Sequence, residues 1–269
     1  MFFHPAAASS GVYRLIKLVS ALVLVYVGFG LVGAVASLAI TPFAVLAFMG
    51  FYFRKYRKDL SKKAEKVKSY ISLRKPFLLI LATNMLLMVF LYLDLFFVKY
   101  YLGSEEAGFY NVANITAKVL MFAVGGITMV FLPKSSKLDI KSDGVHIKDL
   151  LLKSIMLMLP IFAAFLLFPE LIISTFYTAK YVSALMPFRI LTIGMFAYAL
   201  FTILLNIFWS QNKETPPFLV SLTVLPADIV LLFYLVPAYG MTGAAIATTL
   251  SSVALLAFNG FFMRKMFKP

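Results

Sequence analysis

YGMTGAAIATTLSSVALLAFNGFFMRK, residues 239–265, reads as a tight glycine turn, one membrane-spanning helix and a basic stop. The same pattern stands 210 residues earlier, without a gap, at 29–55: FGLVGAVASLAITPFAVLAFMGFYFRK. Gly30, Gly33 and Ala34 fall on Gly240, Gly243 and Ala244, and Ala36 on Ile246. Leu46-Ala47-Phe48 fall on Leu256-Ala257-Phe258, Gly50 on Gly260, and Arg54-Lys55 on Arg264-Lys265. Apolar helices match by chance, and two similar helix ends arising from composition are the alternative. Turn glycines and a terminal Arg-Lys pair are not apolar filler, however, and internal repeats of this kind mark transporter folds.

The rest of the chain has the composition such a helix needs. It is 62% hydrophobic and 13% charged, and apolar tracts near the ~20 residues of a bilayer crossing recur along it. We expect an all-α, polytopic membrane protein with eight transmembrane helices. The chain has no Cys, which removes disulfides, thiolate metal sites and a Cys nucleophile. His4 and His146 are its two histidines, both outside the apolar tracts, so neither a metal site nor a cofactor is expected.

In order, the apolar helices are expected at about 15–27, 31–53 (with Pro42 inside), 76–98, 109–132, 150–168, 184–208, 218–236 and 242–263. Between the second and third lies RKYRKDLSKKAEKVKSYISLRK, residues 54–75, with ten basic residues against Asp59 and Glu65. It reads as an amphipathic cytoplasmic linker and an anionic-lipid contact, at about 1 kcal/mol per basic residue near the surface. No stacking pattern or groove-reading motif accompanies these charges, so nucleic acid is not the expected partner. Residues 169–183 form an aromatic-rich connection at headgroup level, with Tyr177 and Tyr181.

With the N-terminus in the cytoplasm and eight crossings, 21 of the 25 Lys and Arg lie on the cytoplasmic side. Lys99 and Lys180 lie outside, while Lys118 and Arg189 fall within spans. This is the positive-inside distribution, and it accounts for the net charge of +14. Both termini are then cytoplasmic. The repeated helices are the second and the eighth, an even number apart, so they point the same way. That implies a parallel six-helix repeat: residues 76–269 make one lobe, 1–53 the last hairpin of a preceding one, and 54–75 the linker.

Several stretches, in order, resemble the polysaccharide-biosynthesis flippases of the MOP exporter superfamily. YLDLFFVKYYLGSEEAGFYNVANITAK (92–118) is similar to that family's Asp-bearing seventh helix, outer loop and eighth helix. FLPKSSK (131–137), PELIISTFYTAKYVSALMPFRIL (169–191) and LVPAYGMTGAAIATTLS (235–251) resemble its later landmarks. The resemblance runs from about residue 11 to 268. It implies two six-helix lobes around a central cavity, and alternating-access transport of lipid-linked oligosaccharide. It also implies that four helices of the first lobe are absent here. The chain is therefore expected to be a truncated form, a mis-started reading frame, or a fragment that another chain completes.

Charged residues inside spans are functional candidates by default. Asp94, Lys118, Arg189 and Asp228 lie five to nine residues from the outer helix ends, about 7 to 13 Å deep at 1.5 Å per residue. Two acids and two bases at one depth suggest the pairs Asp94–Lys118 and Arg189–Asp228. These are either structural bridges, with Arg189 snorkelling, or parts of a site. In the second case Lys118 and Arg189 attract the diphosphate of a lipid-linked sugar, and Asp94 and Asp228 couple transport to a cation or proton. Asn111, Asn114 and Lys118 share a helical face, which faces a cavity or bonds a neighbouring helix. Asn84 shares part of a face with Asp94. Ser221 lies on the face of Asp228, but a lone Ser often bonds its own backbone. The Gly/Ala runs at 33–36 and 243–247 favour close helix packing over ligand binding.

The leading function is thus a flippase for lipid-linked saccharide. A cation-coupled multidrug exporter of the same fold is the alternative, as is an inactive or partner-dependent fragment. A membrane glycosyltransferase would need a carboxylate base or metal cluster, and the outer loops offer Glu105, Glu106 and Glu170 without a paired-acid motif.

Overall fold

The computed structural model describes residues 3–64, 74–121 and 144–267, and all regular structure among them is helical. The chain forms two compact units, Met1–Ile71 and Ser72–Pro269.

The first unit is a hairpin. Helix α1 (Phe3–Leu24) passes through a five-residue π-helical turn, Val25–Phe29, into α2 (Gly30–Ala64). The reversal uses Gly28 at φ 100° and Gly30 at φ 51°, ψ −131°, conformations that side-chain-bearing residues avoid. Past the turn, a Cβ on Gly33 would lie 2.9 Å from the Leu24 carbonyl oxygen, so this glycine lets α2 pass against the end of α1. Buried Ser37 and Thr41 satisfy their hydroxyls on their own helix, at the Ala34 and Ser37 carbonyls.

Helix α2 does not end at Phe53. It runs to Ala64, because RKYRKDLSKKA contains strong helix formers and no breaker. Its 35 residues reach about 52 Å, well beyond a ~30 Å hydrocarbon core. The first half of the basic linker therefore continues the span as one rod. Residues 65–73 of that linker, and 122–143 of the expected fourth helix and second basic loop, lie outside the described residues.

The second unit holds α3 (Arg74–Leu102), α4 (Ser104–Ala117), α5 (Gly144–Leu167), α6 (Pro169–Phe176), a 3-10 turn at Ala179–Ala184, α7 (Leu185–Ser210) and α8 (Thr215–Phe267). The expected headgroup-level connection is thus itself helical, and α6 turns 87° away from the apolar stretch of α5. Pro169 opens α6 at the position where its missing N–H costs nothing.

Helix α8 is 53 residues of one assignment but two arms in space. Gly240, at φ 60° and ψ −140°, breaks it. A Cβ on Gly243 would lie 1.9 Å from the Leu235 carbonyl oxygen, a proximity that a straight helix eight residues apart forbids. Thr223, Ala227 and Leu231 of the first arm and Leu250, Ala254 and Phe258 of the second line one groove of about 340 Å³, and past the break Gly243 returns against Leu235. The arms therefore run antiparallel. Gly30 and Gly240, 210 residues apart, share nearly the same φ and ψ, and Gly33 and Gly243 share the close approach. The repeat seen in the letters is thus also a repeat of backbone geometry.

By length and hydropathy, 74–102, 180–210 and 215–265 can cross a membrane, and the bent pair α5–α6 adds a fourth candidate. Helical stretches 15–29 and 32–47 are apolar but shorter. Each arm of α8, at about 25 residues, is itself long enough for one crossing.

Helix α7 is the axis of the second unit. Phe188, Leu191, Met195, Phe201 and Phe208 on it are fully buried. In lipid, association rests on packing and close approach rather than on expulsion of water. A close approach of α7 to the second arm of α8 is at Gly194, where a Cβ would come within 2.9 Å of the Thr249 Cα. Thr249 in turn donates its hydroxyl to the Ile190 carbonyl at 3.0 Å, joining α7 to the second arm of α8.

Candidate functional site

Asp94 lies about two turns from the C-terminal end of α3 and is fully buried. Its Oδ2 accepts from Tyr110 Oη at 2.7 Å and Asn114 Nδ2 at 2.8 Å, both on α4, and from Thr248 Oγ1 at 3.3 Å on the second arm of α8. Its Oδ1 accepts from the Leu95 N–H at 2.7 Å. Tyr110 and Asn114 are four apart, one turn of one face, which is why one helix delivers both donors. Four donors from three elements pin this carboxylate.

Asp228 is the opposite case. It sits on the first arm of α8, fully buried, and neither carboxylate oxygen has a hydrogen-bond partner among the described residues. Ser251 and Ser252, on the second arm, are buried with unpartnered hydroxyls. Ser251 neighbours Asp228, although no hydrogen bond of ordinary geometry joins them. The two aspartates lie within electrostatic range of each other. A carboxylate buried without donors is costly unless a proton or cation accompanies it. The Asp228 carboxylate and the Ser251 hydroxyl near it are hard oxygen ligands, of the kind that suit alkali or alkaline-earth ions. Among the described residues, no three His, Cys, Asp or Glu converge on one point.

The expected ion pairs do not form. Lys118, at the C-terminal end of α4, donates from Nζ to the Leu91 carbonyl at 2.8 Å and lies 4.4 Å from the centre of the Tyr92 ring. It makes no ion pair with Asp94 within 4.0 Å. Arg189 is exposed on the second turn of α7, and Asp228 is buried, so these two are not partners either. All four charges are expected at one depth, but Lys118 turns to the Leu91 carbonyl and Arg189 is exposed.

The asparagines divide. Asn114 joins Asp94, with its Oδ1 left unpartnered. Asn111 is half-buried one turn earlier. Asn84 is exposed and donates to its own helix at the Ile80 carbonyl, 2.8 Å. Ten residues from Asp94, it is about 15 Å away along α3 and stands apart from the cluster. Ser221 bonds its own backbone at the Pro217 carbonyl, 2.8 Å. Tyr110, Thr248, Ser251 and Ser252 were not singled out from sequence. Tyr110 carried a usable signal, its spacing of four from Asn114. The serines and threonine sit in a small-residue run that reads as packing.

With this geometry in view, sequence comparison is informative. Residues 1–186 match the family described as polysaccharide biosynthesis protein, and the chain belongs to it. It is a multi-pass membrane protein. It is similar to an uncharacterized membrane protein, MJ1068, of Methanocaldococcus jannaschii, 27% identical over 65% of this chain and 36% of that protein. It is also similar to a putative O-antigen transporter of Shigella flexneri, 25% identical over 61% of this chain and 40% of that protein. The matched stretch thus spans well under half the length of these relatives. No solved structure matches the chain.

Proposed function

We propose that the chain is part of a membrane carrier, not an enzyme, that moves lipid-linked saccharide precursors across the membrane by alternating access. Ion coupling resides in the Asp94–Asp228 pair. The observation that carries this is Asp228, a fully buried carboxylate without a donor among the described residues, within electrostatic range of a second buried carboxylate held by four. A structural acid would be paired; this one is left ready for a mobile charge. Family membership and the putative O-antigen transporter of Shigella flexneri support the cargo class.

The proposal includes eight crossings with both termini cytoplasmic, and an anionic-lipid contact at the basic linker. It also includes a second lobe, contributed by the same or another polypeptide. Arg189, exposed near one end of α7, remains the residue proposed to meet the diphosphate of the cargo. Asn111 lies beside the Asp94 cluster and is proposed to contact the same cargo.

The test is glycan export in a host that depends on this protein. Asp228→Asn and Arg189→Ala are each expected to lower export at least tenfold with normal membrane levels. Normal export in the Asp228 variant sinks the coupling role. Loss of drug tolerance without loss of export would instead place the chain among multidrug carriers.

Orientation has its own check, because the chain has no native Cys. A cysteine at Ser104 is expected to react with an impermeant thiol reagent from outside, and one at Lys213 after the inner face is opened. Labelling of both from the same face contradicts the proposed topology.

A further inference from the structure

Glu105, Phe109 and Thr116 stand at i, i+4 and i+11 on one face of α4. That face is held by the segment between α5 and α7. Phe109 meets the Tyr181 ring edge-on, with ring centres 5.6 Å apart. Tyr181 packs in turn against Tyr177 at 5.7 Å, and Tyr177 Oη lies 3.5 Å from Thr116 Oγ1. Lys180 Nζ reaches the Glu105 carboxylate at 3.6 Å and lies 5.9 Å from the centre of the Phe109 ring. The ion pair is exposed and contributes little. The rings carry the contact, with Tyr177 and Tyr181 half-buried against the core. Tyr110 and Asn114, the two α4 residues that donate to Asp94, stand about 100–180° round the same helix from that face.

We propose that α6 and the 3-10 turn form a clamp on α4, and that Tyr181 is a positioning residue for Asp94. The clamp grips one side of α4 while the other side presents Tyr110 and Asn114 to the carboxylate. A helix gripped on one face delivers donors from the far face in a single rotation, so the rings decide whether Oδ2 keeps these two donors. The 3-10 turn runs directly into α7, and Thr249 joins α7 to the arm of α8 that carries Thr248, the third donor to Oδ2. Opening the clamp frees α4 but not this arm. Asp94 then loses Tyr110 and Asn114 together, while Thr248 stays. A movement of the segment between α5 and α7 is in this way converted into a change at the Asp94 carboxylate. The inference rests on the reading of Asp94 as part of the coupling centre.

Three variants separate the clamp from general loosening. Tyr181→Ala removes the ring from Phe109 and Tyr177, and Tyr181→Phe keeps it without the hydroxyl. Phe162→Ala removes a ring contact elsewhere, between α5 and α7 at 4.5 Å. The readout is modification of Asp94 by dicyclohexylcarbodiimide, which attacks buried carboxyl groups that lack donors. It is followed by mass spectrometry on the full chain in nanodiscs, beside glycan export in the dependent host. Tyr181→Ala is expected to raise modification of Asp94 about fivefold, the scale of one aromatic pair, and to lower export. Tyr181→Phe and Phe162→Ala are expected to stay near wild type in modification. Tyr181→Leu, which keeps apolar bulk, carries the same test if the alanine variant does not reach the membrane. Unchanged modification on loss of the ring overturns the proposal, as does an equal rise in Phe162→Ala. If modification follows the ring while export ignores Asp94→Asn and Asp228→Asn, the clamp stands and the transport reading fails.

Discussion

Replacing Gly243 by alanine is expected to prevent the C-terminal hairpin from closing. The new Cβ would lie 1.9 Å from the Leu235 carbonyl oxygen and 2.5 Å from its carbonyl carbon. Both are backbone atoms, so no flexible side chain can swing away. Overpacking of this kind costs about 3 kcal/mol or more, and here it strikes where two arms of one helix must meet. The Gly243→Ala protein is expected to aggregate on extraction, or to unfold far below wild type in detergent. Gly260→Ala is the control. It lies on the same arm with nothing within 4 Å of a Cβ, and it is expected to behave as wild type. Gly243→Ala melting with the control would mean that the arms do not approach as described.

The second large effect is a difference of sign. Asp94→Leu leaves Tyr110 Oη and Asn114 Nδ2 without their acceptor in a buried setting. Each stranded donor costs about 1–3 kcal/mol, so thermal stability should fall steeply. Asp228→Leu strands nothing among the described residues, because Asp228 holds no hydrogen bond with any of them. It removes an unaccompanied buried polar group, and stability is expected to hold or rise by roughly 1–3 kcal/mol. Export should nevertheless be lost in both. Thermal unfolding in detergent, set beside export, reads the contrast. Equal destabilisation by the two leucines would show that Asp228 has a structural partner after all.

The fold was legible where local chemistry dictates it. Hydropathy marked the long apolar helices, three or four of which can cross a membrane by length, and the glycine pairs 30/33 and 240/243 marked reversals because no other residue fits their backbone. The end of α2 was misread because basic residues suggest a loop, whereas Lys and Arg also propagate helices well. The site was half legible. Charged residues in apolar tracts flagged Asp94 and Asp228. Their partners depend on how each helix is rotated against its neighbours, which the one-dimensional pattern does not contain. So Lys118 was assigned to Asp94 and meets the Leu91 carbonyl, and Arg189 was assigned to Asp228 and is exposed. Tyr110 and Thr248 read as ordinary span residues until the third element is brought beside them.

The contact at Gly194 sets a mechanical limit on this lobe. With no clearance between that glycine and Thr249, and with the threonine hydroxyl gripping the Ile190 carbonyl, sliding or twisting there meets backbone at once. Helix α7 and the second arm of α8 must travel as a single strut through any working cycle. The give has to come from the parts that bear against this strut.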